Sequence, residues 1–178
     1  MRINGPHGYW VSDDRSLIDV RLVHQWISGE SYWAAGRPYE VMARAIEHSL
    51  VLGLYTAAGA QAGFARLVTD RSTFAWLCDV FVDAAHRGNG LGMFLVAAAT
   101  DHPDVAGIRQ VLSAEPGRSI YRRLGFGEFA SPQRWMERTR PGPANSEVSS
   151  APPGIAPWIT PPEIASPSPQ APGAGREG

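Results

Sequence analysis

Apolar residues in the first part of the chain recur with helical spacing after a short strand-like run. Val20, Val23 and Ile27 share one helical face, and Asp19 stands where an N-terminal cap belongs. The run "YWVSDD" just before them predicts a short strand. A second helix is predicted over residues 39–50, because a proline near a helix start is favourable and Pro38 stands there.

The second part of the chain predicts a meander and then alternating elements. Strand-like runs cover 50–57, 61–70 and 73–82, a helix 92–102, a strand 108–114, a helix 117–125, and two short strands 126–130 and 134–138. The turns between the first three runs have hairpin length. This order predicts a mixed α/β fold with helices on both faces of the sheet.

Composition changes after residue 138, and the change predicts a domain boundary. Residues 139–178 hold ten of the 15 prolines, and most of the rest is Ala, Ser and Gly. Such a segment buries too little apolar area to offset its ordering entropy. We therefore expect one domain over 1–138 and a disordered or polyproline-like tail, with one apolar island around Trp158.

The charge balance and the cysteine count narrow the class of protein. Sixteen basic and 17 acidic side chains give a formal net charge of -1, which argues against nucleic-acid or anionic-membrane partners. Cys78 is the only cysteine, and no signal sequence or membrane-length apolar run is visible. The five histidines are scattered, so no metal site is expected. These features predict a cytoplasmic, metal-free protein.

A glycine-rich loop between a predicted strand and a predicted helix is the main candidate for binding chemistry. It reads Arg87, Gly88, Asn89, Gly90, Leu91 and Gly92. The spacing fits neither the dinucleotide fingerprint nor a Walker loop, which needs a following lysine. Amides at a helix N-terminus attract anions, so the loop predicts a diphosphate site. Arg87 would reinforce this site or stand as a solvated loop residue.

Two stretches together resemble the motifs of the GNAT superfamily of acyl-CoA-dependent N-acetyltransferases. They are "VFVDAAHRGNGLGMFL" and "SIYRRLGF", and the resemblance covers most of the predicted domain. It implies a mixed, mostly antiparallel sheet in which the fourth and fifth strands splay apart. Acetyl-CoA would lie in that splay, with its diphosphate on the amides of residues 88–92. Its pantetheine would pair with backbone groups of Phe81 and Val82.

The resemblance also implies direct attack of an amine on the thioester. Tyr121 matches the tyrosine thought to protonate the leaving thiolate, although a core aromatic beside Phe126 is the alternative. Asp79 is the carboxylate inside an apolar strand, and it would accept the amine's proton or bind the ammonium. The alternative for Asp79 is a bulge or an arginine pair. Cys78 is expected to be structural.

An aromatic and acidic cluster is the candidate acceptor site. Glu30, Tyr32 and Trp33 lie in the loop between the first two helices, and Trp76 with Asp79 would complete the cluster. Such a cluster suits a small cationic amine, whereas the alternative is packing of the loop. A protein lysine or N-terminus, and a non-catalytic acyl-CoA-binding or scaffold domain, stay open as alternatives. A homodimer also stays open as an alternative to a monomer.

Overall fold

A six-stranded sheet organises the computed structural model, which describes residues 1–114 and 117–138. The strands are β1 (Arg2–Asn4), β2 (Trp10–Ser12), β3 (Leu50–Tyr55), β4 (Gln61–Thr69), β5 (Phe74–Val82) and β6 (Arg109–Leu112). The helices are α1 (Val20–His24), which continues as a π-helix over Gln25–Glu30, α2 (Tyr39–Glu47), α3 (Leu91–Thr100) and α4 (Arg118–Arg123). Met1–Trp135 forms one unit.

The strands lie in the sheet in chain order, and only the last pair is parallel. Neighbours from β1 to β5 are antiparallel, and β6 runs parallel to β5. The β5–β6 ladder pairs Phe74 with Arg109 and ends where Leu77 meets Leu112, although β5 continues to Val82. The predicted splay is therefore confirmed. It lies between β5 and β6, which were the fourth and fifth strands of the prediction because β1 was not expected.

Helices cover both faces of the sheet, as predicted. One face packs against α3 and α4 through a core that includes Leu52, Leu54, Leu67, Leu77, Leu91, Leu95 and Val96. The other face packs against α1, its π-helical extension and α2 through Val23, Trp26, Ile27, Met42, Ile46, Phe64 and Phe81. Each such side chain contributes about 1.5–3 kcal/mol when fully buried, so the two cores fix the helices on the sheet.

Side chains close the exposed backbone groups at the helix ends. The Asp19 carboxylate accepts from the amides of Arg21 and Leu22, each at 3.0 Å, so the predicted cap is confirmed. Arg15 caps the C-terminal end of α2. Its guanidinium donates to the carbonyls of Ile46 and Glu47, both at 2.5 Å, and to that of Ser49 at 2.9 Å. The carbonyls of Ile46 and Glu47 belong to the last turn of α2, where carbonyls lack regular helical partners, so the arginine supplies a donor; Ile46 also accepts from the Ser49 amide at 3.4 Å.

The two ends of the described chain differ from the prediction. Arg2–Asn4 forms β1 against β2, a strand that the sequence pattern did not indicate. The strands predicted over 126–130 and 134–138 are wrong, because the second run contains the end of a 3₁₀ turn at Pro132–Arg134 and neither run joins the described sheet. Their aromatic side chains, Phe129 and Trp135, pack on each other with ring centroids 4.4 Å apart. They thus find apolar contact without a ladder. The predicted tail, 139–178, lies outside the described residues.

The Asp19 cap leads to a stability prediction. Asp19→Ala removes the acceptor for two amides at the start of α1, so we expect the free energy of unfolding to fall by about 1 kcal/mol. Urea denaturation measures this value. Asp101→Ala is the control, because Asp101 is exposed at the C-terminal end of α3, where a carboxylate has no favourable dipole to lose. An equal loss in both variants would contradict the capping role.

Candidate functional site

A groove of about 600 Å³ opens where β5 continues beyond its ladder with β6. We call it the splay groove. Its walls come from the end of β5, the glycine-rich loop, the start of α3, α4 and the loop after α1. The lining residues are Glu30, Trp33, Val80, Phe81, Val82, Arg87, Gly88, Gly90, Leu91, Gly92, Met93, Ile120 and Arg123. Most of the predicted cofactor residues therefore meet in one cavity.

The glycine-rich loop presents backbone amides to the splay groove. Gly88 and Gly90 have φ values of +85° and +71°, a left-handed conformation that side-chain-bearing residues rarely adopt. Gly90 is the N-cap of α3 and offers no side-chain acceptor, and the first helical bond runs from the Phe94 amide to the Gly90 carbonyl. Within the described residues, the amides of the first turn, 91–93, have no hydrogen-bond partner, and the helix dipole favours an anion beside them.

Arg87 spans the end of β5 and the loop. Its Nε donates to the Val82 carbonyl at 2.9 Å, and its guanidinium lies 5.3 Å from the centre of the Phe81 ring. The Val82 carbonyl is therefore already engaged, so a pantetheine donor would have to use its second lone pair. Asn89 is exposed and donates through Nδ2 to the His86 carbonyl at 3.3 Å. It braces the loop and is not among the lining residues.

The sequence reasoning missed Arg123 as a residue of this groove. Arg123 lies on α4, three positions after Ile120, and both line the wall formed by that helix. The helical spacing that places them on one face was visible in the predicted helix. What the pattern did not reveal is that this face meets the glycine-rich loop. Arg87 and Arg123 thus supply two cations to the same cavity.

Tyr121 lies between the core and the loop that follows α1. It is half-buried, packs on the α3 side of the sheet and meets the Phe126 ring edge to face at 6.3 Å. Burial raises the pKa of its hydroxyl above the ordinary 10.0, with a further contribution from the Tyr32 hydroxyl nearby. Tyr121 lines a second cavity, of about 410 Å³, beside β6, whereas its neighbour Ile120 lines the splay groove.

Asp79 occupies a β-bulge in the middle of β5. Ala65 of β4 stands opposite two residues, Asp79 and Val80, and Asp79 has a φ of +48°. Its buried carboxylate contacts Arg37 Nη1 at 3.0 and 3.1 Å and Arg66 Nε at 2.7 Å. These contacts match the structural alternative. The role of Asp79 as a base stays a prediction, and the contacts count against it because both oxygens are already engaged.

Comparison with known proteins agrees with this geometry. The family model described as "Acetyltransferase (GNAT) domain" matches residues 47–128. The crystal structure of a protein of Xanthomonas campestris pv. campestris, assigned to the same family, is 40% identical, with a TM-score of 0.72. The match covers 78% of this chain and 97% of that one. The chain belongs to the GNAT family of acetyltransferases.

More distant matches agree with the fold. A protein of Gibberella zeae assigned as an acetyltransferase is 28% identical over 106 residues, which cover 49% of this chain. The match spans only 60% of that relative's length. A protein of Deinococcus radiodurans R1, also assigned as an acetyltransferase, is 20% identical over 71% of this chain and 87% of its own, with a TM-score of 0.54.

The predicted acceptor residues of this GNAT protein are only partly brought together. Glu30 and Trp33 line the splay groove, and Tyr32 is 53% exposed with its ring edge-on to Trp33 at 5.2 Å. Trp76 lies in the paired part of β5, opposite Val68 and Val111, and is not among the lining residues. Since Asp79 is paired with two arginines, Glu30 is the carboxylate of the predicted cluster that reaches the groove.

The described residues show neither a metal-binding cluster nor a membrane-spanning helix. In 1–114 and 117–138, no group of three or more His, Cys, Asp or Glu side chains is arranged to hold a metal ion. Within the same ranges, no helix combines the length and the apolar character of a bilayer span, and α3, the longest α-helix, has ten residues.

Cys78 provides a prediction about reactivity. Burial is the main cause that raises the pKa of its thiol to about 11, a value that includes opposing effects of Arg66 and Arg37, which lower the pKa, and of Asp79, which raises it. At pH 8 about 0.1% of such a thiol is ionised, against about a quarter of a thiol with an unperturbed pKa of 8.5. Because the thiolate is the reactive form, we expect iodoacetamide to modify the native protein at least 100-fold more slowly than the urea-unfolded chain. Mass spectrometry measures both rates, and equal rates would contradict the prediction.

Proposed function

We propose that this GNAT protein transfers an acetyl group from acetyl-CoA to a primary amine by direct attack in a ternary complex. The observation that carries the proposal is the convergence, in the splay groove, of two backbone features that keep unpaired groups within the described residues. One is the edge of β5 beyond Leu77, and the other is the start of α3 at Gly90. An extended chain that ends in a diphosphate would satisfy both, and acetyl-CoA has that form.

The residues of the groove fit the two halves of this ligand. The amides from Gly90 to Met93 and the cations Arg87 and Arg123 suit the diphosphate, because anions bind at helix N-termini and beside guanidinium groups. The edge of β5 at Phe81 suits the pantetheine, which would add to the sheet like a strand. The groove volume of about 600 Å³ is within the range of small-molecule sites.

Acetyl-CoA supplies an activated acetyl thioester, and the protein side chains handle the protons. Tyr121 would donate its hydroxyl proton to the sulfur that leaves, since burial raises its pKa and keeps it protonated at neutral pH. The acceptor ammonium, with a pKa near ~10.4, must lose one proton to solvent water before its nitrogen attacks the thioester carbon. The nitrogen gives up a second proton as the amide forms, and this proton balances the one that Tyr121 donates to the sulfur. Glu30 lines the groove and is exposed, so we assign the attraction of the ammonium to Glu30 and not to Asp79.

The first test addresses cofactor binding. Gly90→Glu places a carboxylate beside the proposed diphosphate site, so we expect calorimetry with the full chain to show at least a ten-fold loss of acetyl-CoA affinity. Gly59→Glu is the matched control, because Gly59 has a similar φ of +87° in the turn between β3 and β4 and no neighbour near its Cβ position. Its backbone strain and added charge are equivalent. Unchanged affinity in Gly90→Glu, with a folded protein, would contradict the proposal.

The second test addresses proton donation by Tyr121. Tyr121→Phe keeps the packing against Phe126 and removes the acid, so we expect kcat to fall by about 100-fold while acetyl-CoA affinity stays the same. Tyr39→Phe, on α2, is the control. Thiol release measures turnover, and an unchanged kcat would remove Tyr121 from the mechanism.

The pH profile of the parent enzyme extends this test. Because the pKa of Tyr121 lies above 10.0, its acid form is present below that pH and is lost only above it. The rate should therefore rise between pH 7 and about 9.5 as the amine is deprotonated, with no decrease from ionisation of Tyr121. A decrease that begins near pH 8 would be inconsistent with this tyrosine as the acid.

A further inference from the structure

Two guanidinium groups share one carboxylate at the β5 bulge. Asp79, with a side chain 3% exposed, pairs with Arg66, which is 11% exposed, and with Arg37, which is 24% exposed. Among the ion pairs within 1–114 and 117–138, neither arginine has another carboxylate partner. The three side chains therefore carry a surplus of one positive charge.

This surplus favours an anion at the same place. A charge held away from water is unfavourable unless it is paired, and one carboxylate neutralises only one of the two guanidinium groups. Arg66 Nη1 also donates a hydrogen bond to the Ser49 hydroxyl, at 3.0 Å. The more exposed Arg37 is consequently the group that an incoming anion can reach.

Arg37 holds Asp79 with only one of its nitrogens. Nη1 contacts both oxygens of Asp79 and, at 3.5 Å, the sulfur of Met42. A guanidinium has five N–H donors in a planar fork, and within the described residues Nε and Nη2 have no hydrogen-bond partner. Such a free edge matches the two oxygens of a carboxylate or a phosphate.

The contacts of Arg37 relate this free edge to the splay groove. Arg37 lies at the end of the segment 30–37. In this segment Glu30 and Trp33 line the splay groove, and Tyr32 lies near Tyr121. The His24 Nε2 donates to the Arg37 carbonyl at 2.8 Å and holds the end of this loop on α1. The partner Asp79 immediately precedes Val80, which lines the groove. Arg37 is not itself among the lining residues of the groove, and its contact with Asp79 connects it to the strand that forms the groove wall.

We propose that the acceptor amine also carries an oxyanion, a carboxylate or a phosphate, and that Arg37 binds this group. The inference rests on the proposed function and narrows its substrate class. The ammonium end then lies toward Glu30 and the oxyanion toward Arg37, at opposite ends of one loop. A purely cationic acceptor, which the sequence pattern favoured, would be repelled by the surplus positive charge.

The test compares matched amines with and without the oxyanion. The full chain, saturated with CoA, is titrated by calorimetry with 4-aminobutyrate and butylamine, and with O-phosphoethanolamine and ethanolamine. We expect at least one oxyanion-bearing amine to bind ten-fold or more tightly than its counterpart without the oxyanion, and the two pairs distinguish a carboxylate from a phosphate. Equal affinities in both pairs, or no binding by either oxyanion-bearing amine, would overturn the inference.

Variants then assign the preference to Arg37. Arg37→Gln should abolish the ten-fold preference while binding of the amine without the oxyanion changes little, and Arg37→Lys should keep part of the preference because it retains the charge without the fork. Arg71→Gln is the control, since Arg71 is exposed and pairs with Asp104 away from the groove. A preference that survives in Arg37→Gln would overturn the assignment. If Arg37→Gln is unfolded by circular dichroism, the partial loss in Arg37→Lys decides, and an unchanged preference there counts against it.

The outcome separates this inference from the proposed function. Selective binding of an oxyanion-bearing amine without any thiol release would contradict acetyl transfer and leave the Arg37 site intact. Equal acetylation of the two amines within each pair would support the transferase and contradict the Arg37 site.

Discussion

The β-bulge at Asp79 is the feature on which the splay groove depends. One extra residue in β5 changes which side chains face each core, so that Val80 and Val82 pack toward α3 while Phe81 packs toward α1 and α2. A bulge also bends its strand and increases the local twist. The β5–β6 ladder ends at Leu77, just before this point, and the rest of β5 is left as an open edge. The two arginines offset the strain of a positive φ at a buried aspartate.

The groove forms because a second element ends at the same place. The chain leaves β5 and turns through the glycine-rich loop, so the uncapped start of α3 lies beside the open strand edge. Neither feature would be stable deep inside a protein, since unsatisfied amides and carbonyls are costly when buried. Facing a groove, they are available to a ligand that replaces water. The described part of this GNAT fold thus keeps backbone donors free at one site, where Arg87 and Arg123 add positive charge, while Tyr121 lines the neighbouring cavity beside β6.

The charge of the acceptor side illustrates why a list of residue types is an incomplete guide to a substrate. Glu30 and Asp79 look alike in the sequence, as two acids near aromatic residues. In the fold, one is exposed at the groove and the other is neutralised by guanidinium groups. The partners of Asp79 are 42 and 13 residues away along the chain, in a loop and in a neighbouring strand. No local spacing relates them.

The sequence by itself determined the elements whose signals are local. The Asp19 cap, the meander and the glycine-rich loop depend on neighbours within a few residues, and the structure has each of them. Tertiary structure decided the rest. Residues 2–4 form β1 because β2 lies beside them, whereas 126–130 and 134–138 pair with no strand of the described sheet. The tertiary structure also brought Arg37 and Arg66 to Asp79, and Arg123 to the splay groove. A ladder partner and an ion-pair partner come from distant parts of the chain, and their positions are fixed only when the sheet and its helices pack together.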